Sequence, residues 1–161
     1  MDTKANLSTD ADTDRIERSI VINAPRERVW RALTNAEEFG AWFGPDLKGY
    51  TFTEGQHVRV RNAGCGHEET WFDIVVERIE PRNLFAYRWH PYTSDPNVDY
   101  TQEERTLVTF TLEDMADNST LLTVVESGFD KLPANRRLEA FPMHSQGWDA
   151  QLDNVSKYVS A

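Results

Sequence analysis

The sequence predicts an α+β fold: a curved antiparallel sheet of six to seven strands wrapped on a long C-terminal helix, with two short helices after strand 1. Three patterns carry that prediction. Between Pro45 and about Phe129, period-two apolar segments alternate with turn residues. The last segment, "HSQGWDAQLDNVSKYVSA", sets Trp148, Leu152, Val155 and Val159 on one helical stripe. Near the start, "EEFGAWFGPD" puts Phe39, Trp42 and Phe43 on one side of a short helix that Gly44-Pro45 ends. Adjacent strands joined by short turns are antiparallel, and a twisted sheet with one apolar face closes most simply on a single amphipathic helix.

The elements follow in order. The first 14 residues, "MDTKANLSTDADTD", are polar and read as a disordered tail, so residues 15–161 form the one predicted domain. "RIERSIVI" alternates, with Ile16, Ile20 and Ile22 on one parity, and reads as a strand. Asn23-Ala24-Pro25 opens the helix "RERVWRALT", whose buried stripe is Val29, Trp30 and Leu33. The aromatic helix spans roughly 36–43. "LKGYTFTE" and "QHVRVRN" read as two strands flanking a hairpin turn at Gly55. A Gly-rich loop, "AGCGHEE" (63–69), leads into "TWFDIVVERIE", where both parities carry apolar residues. After a Pro81-Arg82-Asn83 turn, "LFAYRWH" puts Phe85, Tyr87 and Trp89 on one face and Arg88 on the other. A loop at 91–102 crosses to "ERTLVTFTLED", where Val108, Phe110 and Leu112 share a face. A turn within 114–119 precedes "TLLTVVESGF", the last strand. Pro133 starts the C-terminal helical region, and Pro142 is expected to interrupt it.

Bulk properties narrow the function. A chain of 161 residues is long enough to bury a core without disulfides or metals. A net charge of −10 argues against nucleic acid, which requires clustered Lys and Arg, and against docking to anionic lipid. No apolar run approaches the roughly 18 residues of a membrane span, so membrane insertion is not expected. One cysteine, Cys65, permits no internal disulfide, and no secretory leader is visible; both suit the cytoplasm. Asn118-Ser119-Thr120 matches a glycosylation sequon but reads as turn chemistry.

Four segments carry a family resemblance: "IVINAPRERVWRALTNAEEFGAWFGP", "VVERIEPRNLFAYRW", "TLLTVVESGF" and "GWDAQLDNVSKYV". In this order they resemble the domain of the activator of the 90-kDa heat-shock-protein ATPase. That family sits in the helix-grip superfamily of START, birch-pollen-allergen and polyketide-cyclase relatives. The resemblance implies an elongated hydrophobic cavity between sheet and C-terminal helix, open near the short helices and loops. The co-chaperone that names the family has a further N-terminal domain, whereas only a short tail precedes Arg15 here, so a chaperone partner is not the leading expectation.

Candidate site residues follow from parity and from that implied cavity. Tyr87, Trp89, Phe110 and Trp148 lie on inward faces, with Trp42 and Phe43 at the mouth and Trp71 among the remaining ring candidates; each also fits a packed core. Leu122, Val124 and Glu126 share a parity, but so do Leu121, Thr123 and Val125, and either face can be inner. An inward Glu126 carboxylate is expected to have a raised pKa. His144 shares a helix face with Trp148, as a surface or core histidine or as a base. Cys65, His67, Glu68 and Glu69 lack the paired spacing of a zinc site, so no metal and no cofactor is expected. The leading expectation is a binder of a small hydrophobic or amphipathic ligand (lipid, polyketide or flavonoid-like), with no catalytic residue assigned. A cyclase/aromatase- or hydrolase-like enzyme is the alternative, and requires two polar side chains converging inside, such as Glu126 and His144. A co-chaperone or stress-response module is the third reading.

Overall fold

The computed structural model describes residues 14–61, 71–90 and 103–160. Six strands form one antiparallel sheet: β1 (Arg15–Ile22), β2 (His57–Arg61), β3 (Trp71–Glu80), β4 (Leu84–Trp89), β5 (Thr106–Met115) and β6 (Ser119–Ser127). Their spatial order is β1-β6-β5-β4-β3-β2, so β2 to β6 run as a meander and β1 closes on β6. Two short helices, α1 (Arg26–Thr34) and α2 (Ala36–Phe43), follow β1, and α3 (Ala134–Ser160) ends the chain. Residues 1–13 of the expected tail, the loop at 63–69 and the loop at 91–102 lie outside the described residues.

Alternation in the strands becomes one buried face. Val108, Phe110 and Leu112 of β5 and Leu122 and Val124 of β6 are buried, as are Phe85 and Tyr87 of β4. Trp148, Leu152, Val155 and Val159 of α3 are buried against this side of the sheet. Each fully buried Val, Leu or Phe contributes about 1.5–3 kcal/mol, and these stripes are the bulk of the core. The β5–β6 turn carries Asp117 and Asn118 at φ 60°, a conformation that short polar side chains tolerate better than branched ones.

Two expectations need correction. Residues 47–54 form no strand. Lys48 N–H donates to the Asp46 side chain, Tyr50 N–H to the Leu47 carbonyl, and Gly49 takes φ 88°, so the segment turns while Leu47 and Phe52 plug the core. Gly55 therefore makes no hairpin: its N–H donates to Val76, and β2 pairs with β3 directly. Second, Pro142 does not break α3, which runs unbroken from Ala134 to Ser160. Proline deletes only its own hydrogen bond to the fourth residue back, Leu138, which is exposed, so water can serve that carbonyl while packing holds both halves. The two-sided apolar pattern of β3, which parity leaves unoriented, comes from a register shift between Val76 and Arg78. Phe72, Ile74 and Val76 point inward before it, and Asp73, on the opposite face, meets His57, Arg59 and Arg105.

Candidate functional site

The interior between sheet and α3 is organised around one carboxylate. Glu126 lies on β6 in the same buried parity as Leu122 and Val124, and its side chain is 0% exposed. Its Oε2 accepts from the Trp89 indole N–H of β4 (2.8 Å) and the Thr106 hydroxyl of β5 (2.6 Å). Its Oε1 accepts from the Trp148 indole N–H (2.8 Å) and His144 Nδ1 (2.7 Å), both on α3. A carboxylate offers about four lone-pair sites, and four donors fill them. Since an ionised carboxylate only accepts, the His144 proton in this bond sits on Nδ1.

The expected rise in the Glu126 pKa is corrected here. Burial pushes it up, but attraction to His144 and hydrogen bonds from His144, Thr106 and Trp89 outweigh burial, and the carboxyl is held below its ordinary value. Desolvation alone would raise it; donors brought in by strand pairing and helix docking, which no local pattern reveals, reverse the direction.

Rings surround this centre. Trp89 and Trp148 stack at 5.9 Å between centroids, and Phe110 meets Trp148 edge-on at 5.7 Å. Phe43, at the end of α2, touches both tryptophans, at 5.8 and 6.2 Å. Trp89 in turn meets Tyr87 at 5.2 Å. Phe43 and Trp89 are half-buried, while Tyr87 and Phe110 are fully buried. The Tyr87 hydroxyl has no hydrogen-bond partner among the described residues. Burial, and then the nearby Glu126 charge, push its phenol well above the ordinary value, so it stays protonated.

Of the nine residues singled out from sequence, seven meet here: Phe43, Tyr87, Trp89, Phe110, Glu126, His144 and Trp148. Trp42 sits instead between α1 and α2, buried, with its indole N–H donating to the Ala32 carbonyl at 2.8 Å. Trp71 opens β3, but its side chain lies outside the described residues. Sequence reasoning missed Thr106, although it shares the parity of Val108, Phe110 and Leu112 and was legible on that count. The metal candidates at 65–69 lie outside the described residues. No helix among the described residues is long and apolar enough to cross a membrane.

A curved antiparallel sheet closed by a C-terminal helix, with two short helices after its first strand, is the helix-grip architecture. Residues 23–160 match the model of the Activator of Hsp90 ATPase homolog 1-like protein family, and the chain belongs to that family. No curated protein matches the chain. Among solved structures, DynU16, from the dynemicin biosynthetic locus, is similar at 24% identity and a TM-score of 0.68, over 92% of this chain and 48% of its own. This chain thus spans about half of DynU16. Protein MLL2253 from Mesorhizobium loti aligns at 22% identity and a TM-score of 0.68, over 91% of this chain and 96% of its own. The Aha1 dimer from Colwellia psychrerythraea aligns at 19% and 0.67, over 90% and 95%. At these identities the likeness concerns the fold.

Proposed function

We propose that the protein binds a small hydrophobic or amphipathic molecule, of lipid, polyketide or flavonoid-like character, between the sheet and α3, without catalysis. The observation that carries this reading is the chain of ring contacts from Phe43 through Trp89 to Tyr87. It begins at half-buried rings and ends at a buried one, giving an apolar guest a route of aromatic surface inward. The Phe43 carbonyl, at the outer end of this route, is held by the Gln151 side chain of α3 at 3.1 Å. The Glu126 carboxylate, with its four acceptor sites filled, holds α3 to the sheet and offers no free lone pair as a base. A fold relative from a biosynthetic locus is in keeping with a small-molecule guest.

A thermal-shift panel of fatty acids, flavonoids and aromatic polyketides tests the reading. A ligand at a hundredfold its Kd stabilises the native state by about 2.7 kcal/mol, which raises Tm by roughly 5–10 °C for a chain of this size. A panel with no shift, together with native mass spectra showing only the bare chain, overturns it.

The enzyme reading keeps one specific support: Glu126 and His144 do converge inside, at 2.7 Å. A buried carboxylate that fixes the tautomer and orientation of an imidazole is the orienting half of a base-catalysed site. In that reading His144 is the base and Glu126 its positioning residue. Turnover by the wild type on any ester or polyketide substrate, lost in His144→Gln, would favour it.

A further inference from the structure

We propose that the Tyr87 hydroxyl is the anchor of the ligand site, and that the ligand it selects is a neutral, flat, ring-bearing molecule carrying a carbonyl-type acceptor oxygen. This rests on the binding reading above and names the ligand class for that same site.

Three observations converge on it. Among the described residues the buried side-chain atoms without a partner are the Tyr87 hydroxyl and Glu103 Oε1, and it is the hydroxyl that sits among these rings, whereas every oxygen site of Glu126 beside it is filled. Buried polar groups are almost always bonded, so an unpartnered donor in a ring-lined interior is the group from which a guest's acceptor gains most. The surroundings of Tyr87 are rings: Phe39 at 6.3 Å, Phe85 at 5.8 Å, Trp89 at 5.2 Å and Phe110 at 6.2 Å between centroids. Such walls favour a flat aromatic body by stacked and edge-on contact.

Charge narrows the class further. The phenol remains protonated, so it donates, and the ligand atom must accept. The acceptor is neutral, because the Glu126 carboxylate acts on this phenol and would repel an anion placed against it. A ketone or quinone oxygen meets these conditions. A fatty-acid carboxylate does not.

The test uses three probes of nearly one shape: 9-fluorenone, fluorene and fluorene-2-carboxylate, with dissociation constants from equilibrium dialysis against wild type and Tyr87→Phe. Fluorenone is expected to bind the wild type about tenfold more tightly than fluorene, the worth of one good neutral hydrogen bond. The carboxylate is expected to be the weakest. In Tyr87→Phe the fluorenone preference should collapse to about unity with fluorene affinity retained. Equal binding of fluorenone and fluorene by the wild type, a preference that survives in Tyr87→Phe, or tightest binding of the carboxylate each overturns the anchor while leaving the ring site standing. Binding of no probe to either folded protein overturns the ring site as well. Near-ultraviolet circular dichroism of the variant checks that the packing is kept.

Discussion

His144 on α3 and Glu126 on β6 meet at 2.7 Å, among the apolar and aromatic side chains of the core. The same carboxylate takes hydrogen bonds from β4, β5 and a second residue of α3, so one group ties the C-terminal helix to three adjacent strands. Removing it orphans four donors at once. Glu126→Ala is therefore expected to cost about 3–5 kcal/mol, the range for deleting one member of a buried charged network. In a chain of 161 residues that lowers Tm by about 10 °C, readable by calorimetry. Glu126→Gln keeps an acceptor oxygen but turns an NH2 toward donors, and should cost less, about 1–3 kcal/mol. A Tm within 2 °C of wild type for Glu126→Ala would show that the network contributes little.

The pH dependence follows from the same group. Burial raises the Glu126 pKa, but His144 and the surrounding donors hold it below the ordinary 4.5. A carboxylate whose folded pKa is depressed stabilises the fold above its unfolded pKa, and that contribution is lost as pH falls through the folded value. The stability gap between wild type and Glu126→Gln should accordingly narrow on acidification below about 4.5. Glu38 is also held low, where Arg28 and Arg31 outweigh its burial, so the difference between the two proteins is the informative quantity. Urea denaturation at pH 7, 5 and 4 measures it, and a gap that widens toward acid would reverse the assigned direction.

Local alternation made much of this legible. It placed Phe85, Tyr87 and Trp89 together, oriented Val108, Phe110 and Leu112, and found the α3 stripe. Glu126 was ambiguous because both parities of β6 are apolar. Its direction is decided by the register that sets Glu126 opposite Ile16 on one side and Val108 on the other. Its donors lie 18 to 37 positions away along the chain, brought in by strand pairing and helix docking rather than by any local pattern. The segment 47–54 was misread for a related reason. Leu47 and Phe52 are buried by turns at Asp46 and Gly49, and a turn that plugs a core carries no period.

Tyr87→Phe isolates the orphan hydroxyl in the ligand-free protein. A buried hydroxyl without a partner carries a desolvation cost of about 1–3 kcal/mol, and phenylalanine keeps the ring contacts. The variant should be more stable than wild type, by about 1 kcal/mol or more, or roughly 2–4 °C in Tm. A lower Tm would mean that the hydroxyl is already bonded, to water or protein.

The final prediction concerns the glycine in "EEFGAWFGPD". Gly40 lies inside α2, where glycine costs about 1 kcal/mol relative to alanine by helix propensity alone. Propensity therefore argues that Gly40→Ala should stabilise. Packing argues the reverse. A Cβ at Gly40 would overlap the Pro45 carbonyl oxygen and crowd the Leu47 backbone nitrogen at 3.2 Å. Both are main-chain atoms, with no flexible tip to move aside. The chain folds back against α2 here because Gly44 takes φ 140°, bringing Pro45 and Leu47 over the helix. Overpacking of about 1–3 kcal/mol or more should outweigh the propensity gain, and Gly40→Ala should unfold at lower urea than wild type. The strain falls where α2 presents Phe39 and Phe43, so ring packing should loosen as well, visible as weaker near-ultraviolet circular dichroism. A variant as stable as wild type with that signal unchanged would show that the Pro45 segment can move off the helix without disturbing the rings.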